Sequence, residues 1–211
     1  MIVSNTLQCI FVAIPKTATH AIRFALRRYL DEKQDWEQVG LFVQKKMPFM
    51  ELAKIDTGHI KAMEAKPVLG EALWSRYFKF AVVRNPYDRF VSFCAFIHRE
   101  DQAFEKNARM CMKNIIAAPD IQQRILFRPQ HEFVCDHNGE IMLDFLARHE
   151  QLQGDYTQIC ARLGIRATTL PRVNRSIHGP YIDYYDKELR MAVFNHYQRD
   201  FELFGYDPAI K

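Results

Sequence analysis

The sequence predicts an α/β fold with a central, mainly parallel sheet flanked by helices. Three observations carry that expectation. Two apolar runs, "CIFVAI" at 9–14 and "YFKFAVV" at 77–83, stop abruptly and are each followed by a stretch of helical periodicity. The second run is nearly all apolar, as a parallel strand covered on both faces requires. No internal repeat, low-complexity tract or linker rich in Gly, Pro or Ser interrupts the 211 residues, which predicts a single domain over 1–211.

The elements follow in order. The first strand is Gln8 to Ile14. The helix after it places Ile22, Ala25, Leu26 and Tyr29 on one face and Arg23, Arg27 and Arg28 on the other. Residues 31–55 are polar, and "WEQVGLFVQ" fits helix and strand equally. "IDTGHI" (55–60) reads as a short extended piece, followed by a helix around Val68 to Arg76. After the strand at 77–83, Asn85 is a good N-cap and Pro86 suits the first helical position. Residues 102–127 read as helical with a break at Pro119. "HEFVCDHNGEIMLDFLA" (131–147) reads as a hairpin turning at Asn138-Gly139. A helix over 151–163 ends at Gly164. The last helix is capped by Asp186 and buries Leu189, Val193, Tyr197, Phe201 and Phe204 before Gly205.

Composition narrows the function classes. A net charge of +4 is too small an excess to argue for nucleic acid, and no basic stripe with interleaved aromatics appears; it suits a small anionic ligand. The five cysteines (Cys9, Cys94, Cys111, Cys135, Cys160) are odd in number and widely spaced, without C-x-x-C, so they read as reduced thiols. No basic region precedes a long apolar stretch, and no apolar run approaches the ~20 residues of a membrane span. The expectation is a cytoplasmic protein without a membrane anchor. Oligomeric state is not legible. No metal is expected: His131, Cys135 and His137 would share one strand face, which the mixed side chains of a hairpin explain.

Two elements carry chemistry. "CIFVAIPKTATHAIRFALRRYL" (9–30) is strand, lysine-bearing turn, helix, a way of holding an anion over backbone N–H groups. Lys16 adds a full charge, and Thr17 and Thr19 offer hydroxyl donors. The G-x-x-x-x-G-K-[ST] loop of nucleotide triphosphatases is absent. "VVRNPYDRFVS" (82–92) places Arg84 at the carboxyl end of the central strand, where ligands of open parallel sheets bind, and Ser92 inside the following helix. A forked, permanently charged guanidinium suits phosphate.

"IPKTATHAI" and "VVRNPYDRFVS" together resemble the two signature motifs of sulfotransferases that use 3′-phosphoadenosine 5′-phosphosulfate (PAPS). "GEIMLDFLARHEQLQGDYTQICARLGI", "LPRVNRS" and the terminal "YYDKELRMAVFNHYQRDFELFGY" extend the resemblance toward the carbohydrate branch, including glycosaminoglycan 2-O-sulfotransferases. The resemblance implies a P-loop-like three-layer fold. It implies that the turn of Pro15, Lys16, Thr17, Ala18, Thr19 and His20 holds the 5′-phosphosulfate, and that Arg84 and Ser92 hold the 3′-phosphate. Arg89 would buttress the helix, and Arg175, with Asn174 and Ser176, would contact nucleotide. One departure stands out: the family's first motif usually runs PKTAGTS, and here Thr19, His20 and Ala21 replace its last three residues.

The implied reaction moves a sulfuryl group to a hydroxyl acceptor, a small molecule or a saccharide, by in-line displacement without a metal. Such transfer needs alignment, charge stabilisation and a base for the acceptor proton. Lys16 would stabilise the leaving phosphate oxygen. A Gly-His pair in the 2-O-sulfating branch implies His59 as the base, with His20 as its rival beside the turn. Glu150 and Asp155 also match the resemblance, and helix capping explains them equally. A phosphotransferase predicts a glycine-rich loop and a magnesium carboxylate, which the sequence lacks. A nucleotide-binding protein without turnover predicts binding alone.

Overall fold

The computed structural model describes residues 1–40, 48–171 and 179–209. Its strands are β1 (Ile2–Ser4), β2 (Cys9–Val12), β3 (Asp35–Glu37), β4 (Phe78–Val83) and β5 (Phe145–Arg148). Its helices are α1 (Thr19–Arg27), α2 (Met50–Ala53), α3 (Ala62–Leu69), α4 (Glu71–Arg76), α5 (Pro86–Ile97), α6 (Ala103–Ala117), α7 (His131–Val134), α8 (Leu152–Leu163) and α9 (Lys187–Phe204). Two compact units divide these elements. The first comprises Met1–Ile14, Ala18–Val83 and Gln130–Val173, the second Pro15–Thr17, Arg84–Pro129 and Asn174–Lys211.

The first unit contains the sheet, in the order β3-β1-β2-β4-β5. β2 and β5 both pair parallel to β4, while β1 pairs antiparallel to β2 and to β3. Four strands therefore share one direction and β1 alone is reversed, which is the α/β sheet expected, flanked by helices. The core on one face joins Phe11 and Phe80 to Ile22 and Leu26 of α1 and to Tyr156 and Ile159 of α8. The two phenylalanine rings stack at 5.2 Å. Residues of β2 and β4 that point the other way, Ile10, Val12, Ala81 and Val83, are buried too, which explains the continuous apolar run.

In the second unit, Asn85 caps α5 by accepting from the Tyr87 amide at 2.9 Å, with Pro86 at the first helical position. Phe127 lies against Phe90 and Phe93 of α5 and Tyr197 of α9, at 5.9, 5.8 and 5.6 Å between centroids. Tyr197 also donates its hydroxyl to the Phe127 carbonyl at 2.7 Å. Asp186 caps α9 by accepting from Leu189 N at 2.8 Å, and the predicted stripe from Leu189 to Phe204 is buried.

Four expectations change. Residues 131–147 form a single antiparallel bridge, Cys135 to Ile141, around a turn at Gly139, rather than a hairpin. The segment before the turn is helix α7, and the segment after it joins β4 in parallel as β5. His131 and Cys135 therefore share no strand face. The short extended piece expected at 55–60 is bends over 55–58, with 59–60 in no regular element. The helix expected around 68–76 is two helices divided at Gly70 (φ +80°). Arg23, placed on the solvent face by periodicity, is buried, and Phe24 is exposed instead.

Phe80→Ala removes a ring from the centre of this core and is expected to cost about 3–5 kcal/mol of stability. Urea unfolding would show a lowered midpoint with unchanged slope; a loss under about 1 kcal/mol would contradict the packing described.

Candidate active site

β2 and β4 are parallel neighbours, with Val12 opposite Ala81, so the chain leaves both at the same carboxyl edge of the sheet. After β2 it passes through Pro15–Thr17 into α1, and two of the turn's residues have left-handed backbone angles: Lys16 (φ +64°) and Ala18 (φ +66°). Neither is glycine, and each such residue costs on the order of 1–2 kcal/mol. Strain of this kind persists only where surrounding contacts over-determine it.

Two guanidiniums supply those contacts within the second unit. Arg84 donates from Nη1 to the Lys16 carbonyl at 3.2 Å, and Arg89 donates from Nε to the Pro15 carbonyl at 3.0 Å. Arg84 is itself held by Asp88, one helical turn on, whose Oδ2 lies 2.7 Å from Nε. Arg89 is 1% exposed and donates from Nη2 to the carbonyls of Leu126 (3.2 Å) and Arg128 (2.7 Å). Its Nη1 is buried without a hydrogen-bond partner.

The Lys16 ammonium lies 4.1 Å from the centroid of the Phe96 ring, which Arg99 also approaches, at 4.3 Å. Burial, followed by Arg84, Arg99 and Arg89, pushes Lys16 down to about 8. An ammonium near three guanidiniums suits an anion, because a negative charge there would offset the repulsion that adds to the effect of burial. Ser92 is buried on α5, in register with Asp88 and Phe96, and Thr17 is fully buried.

In the first unit, Thr19 opens α1 and donates its hydroxyl to the Ile14 carbonyl at 2.8 Å. In this arrangement the Thr19 hydroxyl proton goes to the backbone. His20 is exposed in the first turn of the same helix. His59 brings Nδ1 to 2.7 Å from the Ala13 carbonyl, at the end of β2. A carbonyl only accepts, so Nδ1 carries the proton and the lone pair of the neutral ring is on Nε2. Burial drives His59 down to about 3; the Ala13 bond opposes this, and Met1's ammonium, Arg23 and His20 add to it. Asp155 accepts from the Arg148 amide at 2.6 Å, a backbone role, and Glu150 lies in a short 3₁₀ turn.

The model of the sulfotransferase family matches residues 1–207. The chain belongs to the sulfotransferase family. No curated protein and no solved structure matches it. The family motif can now be compared with geometry. Its usual glycine falls at position 19, which here is helical; the left-handed angles fall at 16 and 18, where PKTAGTS already has lysine and alanine. Replacing that glycine by Thr19 therefore requires no unusual backbone angle. Arg175, with Asn174 and Ser176, lies outside the described residues.

Sequence reasoning missed Arg99, Phe96 and Asp88 as parts of the cationic turn. Only Asp88 carried a signal, its place in the first turn of α5, four residues after Arg84.

Because Lys16 is at about 8 in the free protein, affinity for a non-titrating anion such as sulfate is fully present below that pH and falls as pH rises through it. Calorimetric titration from pH 6.5 to 9.5 would show the loss, and Lys16→Arg would flatten it. A flat wild-type profile would contradict the role given to the Lys16 ammonium.

Proposed function

We propose that this sulfotransferase-family chain uses PAPS as donor and transfers its sulfuryl group to a hydroxyl acceptor, saccharides being the first class to try. The observation that carries the reading is the Lys16 turn, a strained backbone held by Arg84 and Arg89 around an ammonium that burial and neighbouring guanidiniums lower to about 8. Pro15, Lys16, Thr17, Ala18, Thr19 and His20 form the 5′-phosphosulfate turn in this reading. Arg84 and Ser92 take the 3′-phosphate in this reading, and Arg175 contacts the nucleotide. The whole chain, 1–211, acts as one sulfotransferase domain in the cytoplasm.

In the proposed reaction the acceptor oxygen attacks sulfur in line. A new S–O bond forms as the bond to the 5′-phosphate oxygen breaks. Lys16 stabilises the negative charge that collects on that leaving oxygen. His59 Nε2 takes the acceptor proton, its ring fixed in the competent tautomer by Ala13. No step calls for a metal.

A second reading, a binding protein without turnover, draws support from the weak basicity of His59 in the free chain. The two separate by experiment. Calorimetry should show tight binding of 3′,5′-adenosine bisphosphate and weak binding of 5′-AMP. Arg84→Ala should weaken the bisphosphate by about 1.5–3 kcal/mol, the range for a lost charge-assisted contact. Equal affinity for both nucleotides would overturn the PAPS reading. Assayed with PAPS against a panel of hydroxyl acceptors, His59→Ala should cut turnover about 10²–10⁴-fold while bisphosphate affinity is retained. Binding without turnover in the wild type would leave the second reading standing.

A further inference from the structure

The loop that carries His59 is held by a residue from a distant and otherwise unremarkable part of the chain. Gln38 directly follows edge strand β3 and is buried. Its side-chain Nε2 lies 3.1 Å from the Leu52 carbonyl, 2.6 Å from that of Ile55 and 3.1 Å from that of Thr57. The two hydrogens of one amide are thus shared among three backbone acceptors of the segment leading into Gly58 and His59; the Leu52 carbonyl also accepts from the Ile55 amide. Without Gln38, the Ile55 and Thr57 carbonyls would lose this donor away from bulk water.

The main chain of Gln38 closes the other side. Its carbonyl accepts from Arg23 Nη2 and from the Met1 ammonium, which also donates to the Gly58 carbonyl. Arg23 is held in turn by Glu37, with Nε 3.4 Å from Oε1. The loop fits over this cluster because residue 58 has no side chain. A Cβ there would stand 2.5 Å from the Gln38 carbonyl oxygen, 2.6 Å from Arg23 Nη2 and 2.9 Å from Val39 Cα. Space, not backbone angle, requires the glycine. At the end of the loop the His59 amide donates to Thr57 Oγ1 at 3.1 Å, and its ring reaches Ala13.

We infer that Gln38 and Gly58 are positioning residues for His59: the amide pins the 52–57 loop, and the bare Cα lets it close onto Arg23 and the Gln38 backbone, so that the imidazole is held on Ala13 with Nε2 unprotonated. The catalytic meaning of this device rests on the reading of His59 as base; the positioning itself does not. Among the described residues, the Met1 amino group, Arg23 and His20 act on the ring by charge, and Gln38→Met removes none of them; Gly58→Ala presses on Arg23 Nη2, so Gln38→Met is the cleaner variant.

The test reads the ring directly. In protein labelled with ¹⁵N-histidine, the His59 signal, assigned by its loss in His59→Ala, should show a single fixed tautomer with Nδ1 protonated at pH 7. Gln38→Met keeps the length of the side chain and removes the donor. It should replace the fixed tautomer with averaged imidazole shifts, leave far-UV circular dichroism unchanged, and keep 3′,5′-adenosine bisphosphate affinity within about twofold. Gly58→Ala should do the same by pushing the loop outward. A folded Gln38→Met variant that retains the wild-type tautomer would overturn the inference. Should both variants fail to fold, hydrogen exchange of the wild-type His59 amide decides: protection at least 100-fold over a free peptide supports the clamp, and free-peptide exchange refutes it. If His59→Ala keeps full turnover while Gln38→Met still frees the ring, the base assignment falls and the positioning stands.

Discussion

The cationic turn depends on Lys16 and Ala18 being held at positive φ, which neither side chain favours. The carbonyls of Pro15 and Lys16 are the handles by which Lys16 is held. Arg84 and Arg89 donate to them from α5 and from the end of the strand before it. Asp88 fixes one guanidinium, and the carbonyls of Leu126 and Arg128 fix the other. The second sequence motif therefore builds the first motif's turn, in addition to any contact with ligand. This accounts for the two arginines standing five apart, one just before and one within a capped helix that also buries Phe90, Val91 and Cys94.

The same arrangement concentrates positive charge. A half-buried ammonium near three guanidiniums is an unfavourable cluster, and a pKa of about 8 for Lys16, lowered first by burial and then by those charges, expresses that cost. Phe96 relieves part of it through its ring face. An anion of two or more charges would offset more of the repulsion, so anion affinity and the electrostatics of the turn are linked. Arg89 Nη1, buried and unpaired, belongs to the same unsatisfied set.

His59 is built on the opposite principle. Its surroundings disfavour charge, holding the ring neutral through the physiological range. A fixed Nδ1 proton and a bare Nε2 give direction to a weak base, and direction is what proton transfer in a confined site requires. The supports are backbone carbonyls and a side-chain amide rather than a carboxylate. A carboxylate on Nδ1 would have raised basicity; the Ala13 carbonyl mainly sets the tautomer.

How much of this was legible follows the range of the interactions involved. Local patterns gave β2 and β4, the Asn85-Pro86 start of α5, the Asp186 cap and the stripe of α9, because strand runs and helix caps depend on neighbours a few residues apart. The paired motifs likewise put Lys16 and Arg84 just beyond strands that end at one edge of the sheet. The pattern misled where tertiary partners outweigh local preference: Arg23 turned inward to meet Glu37, and 131–147 gave up a hairpin for a helix and a parallel strand beside β4. Gln38 was invisible for the same reason, since its partners are backbone carbonyls 14 to 19 residues away, and a carbonyl has no identity in a sequence. The sequence by itself determined which residues carry charge and which segments enter the sheet. Only the tertiary structure decided which guanidinium grips the turn and which amide steadies the histidine, because hydrogen bonds to the main chain are specified by position in space and not by residue type.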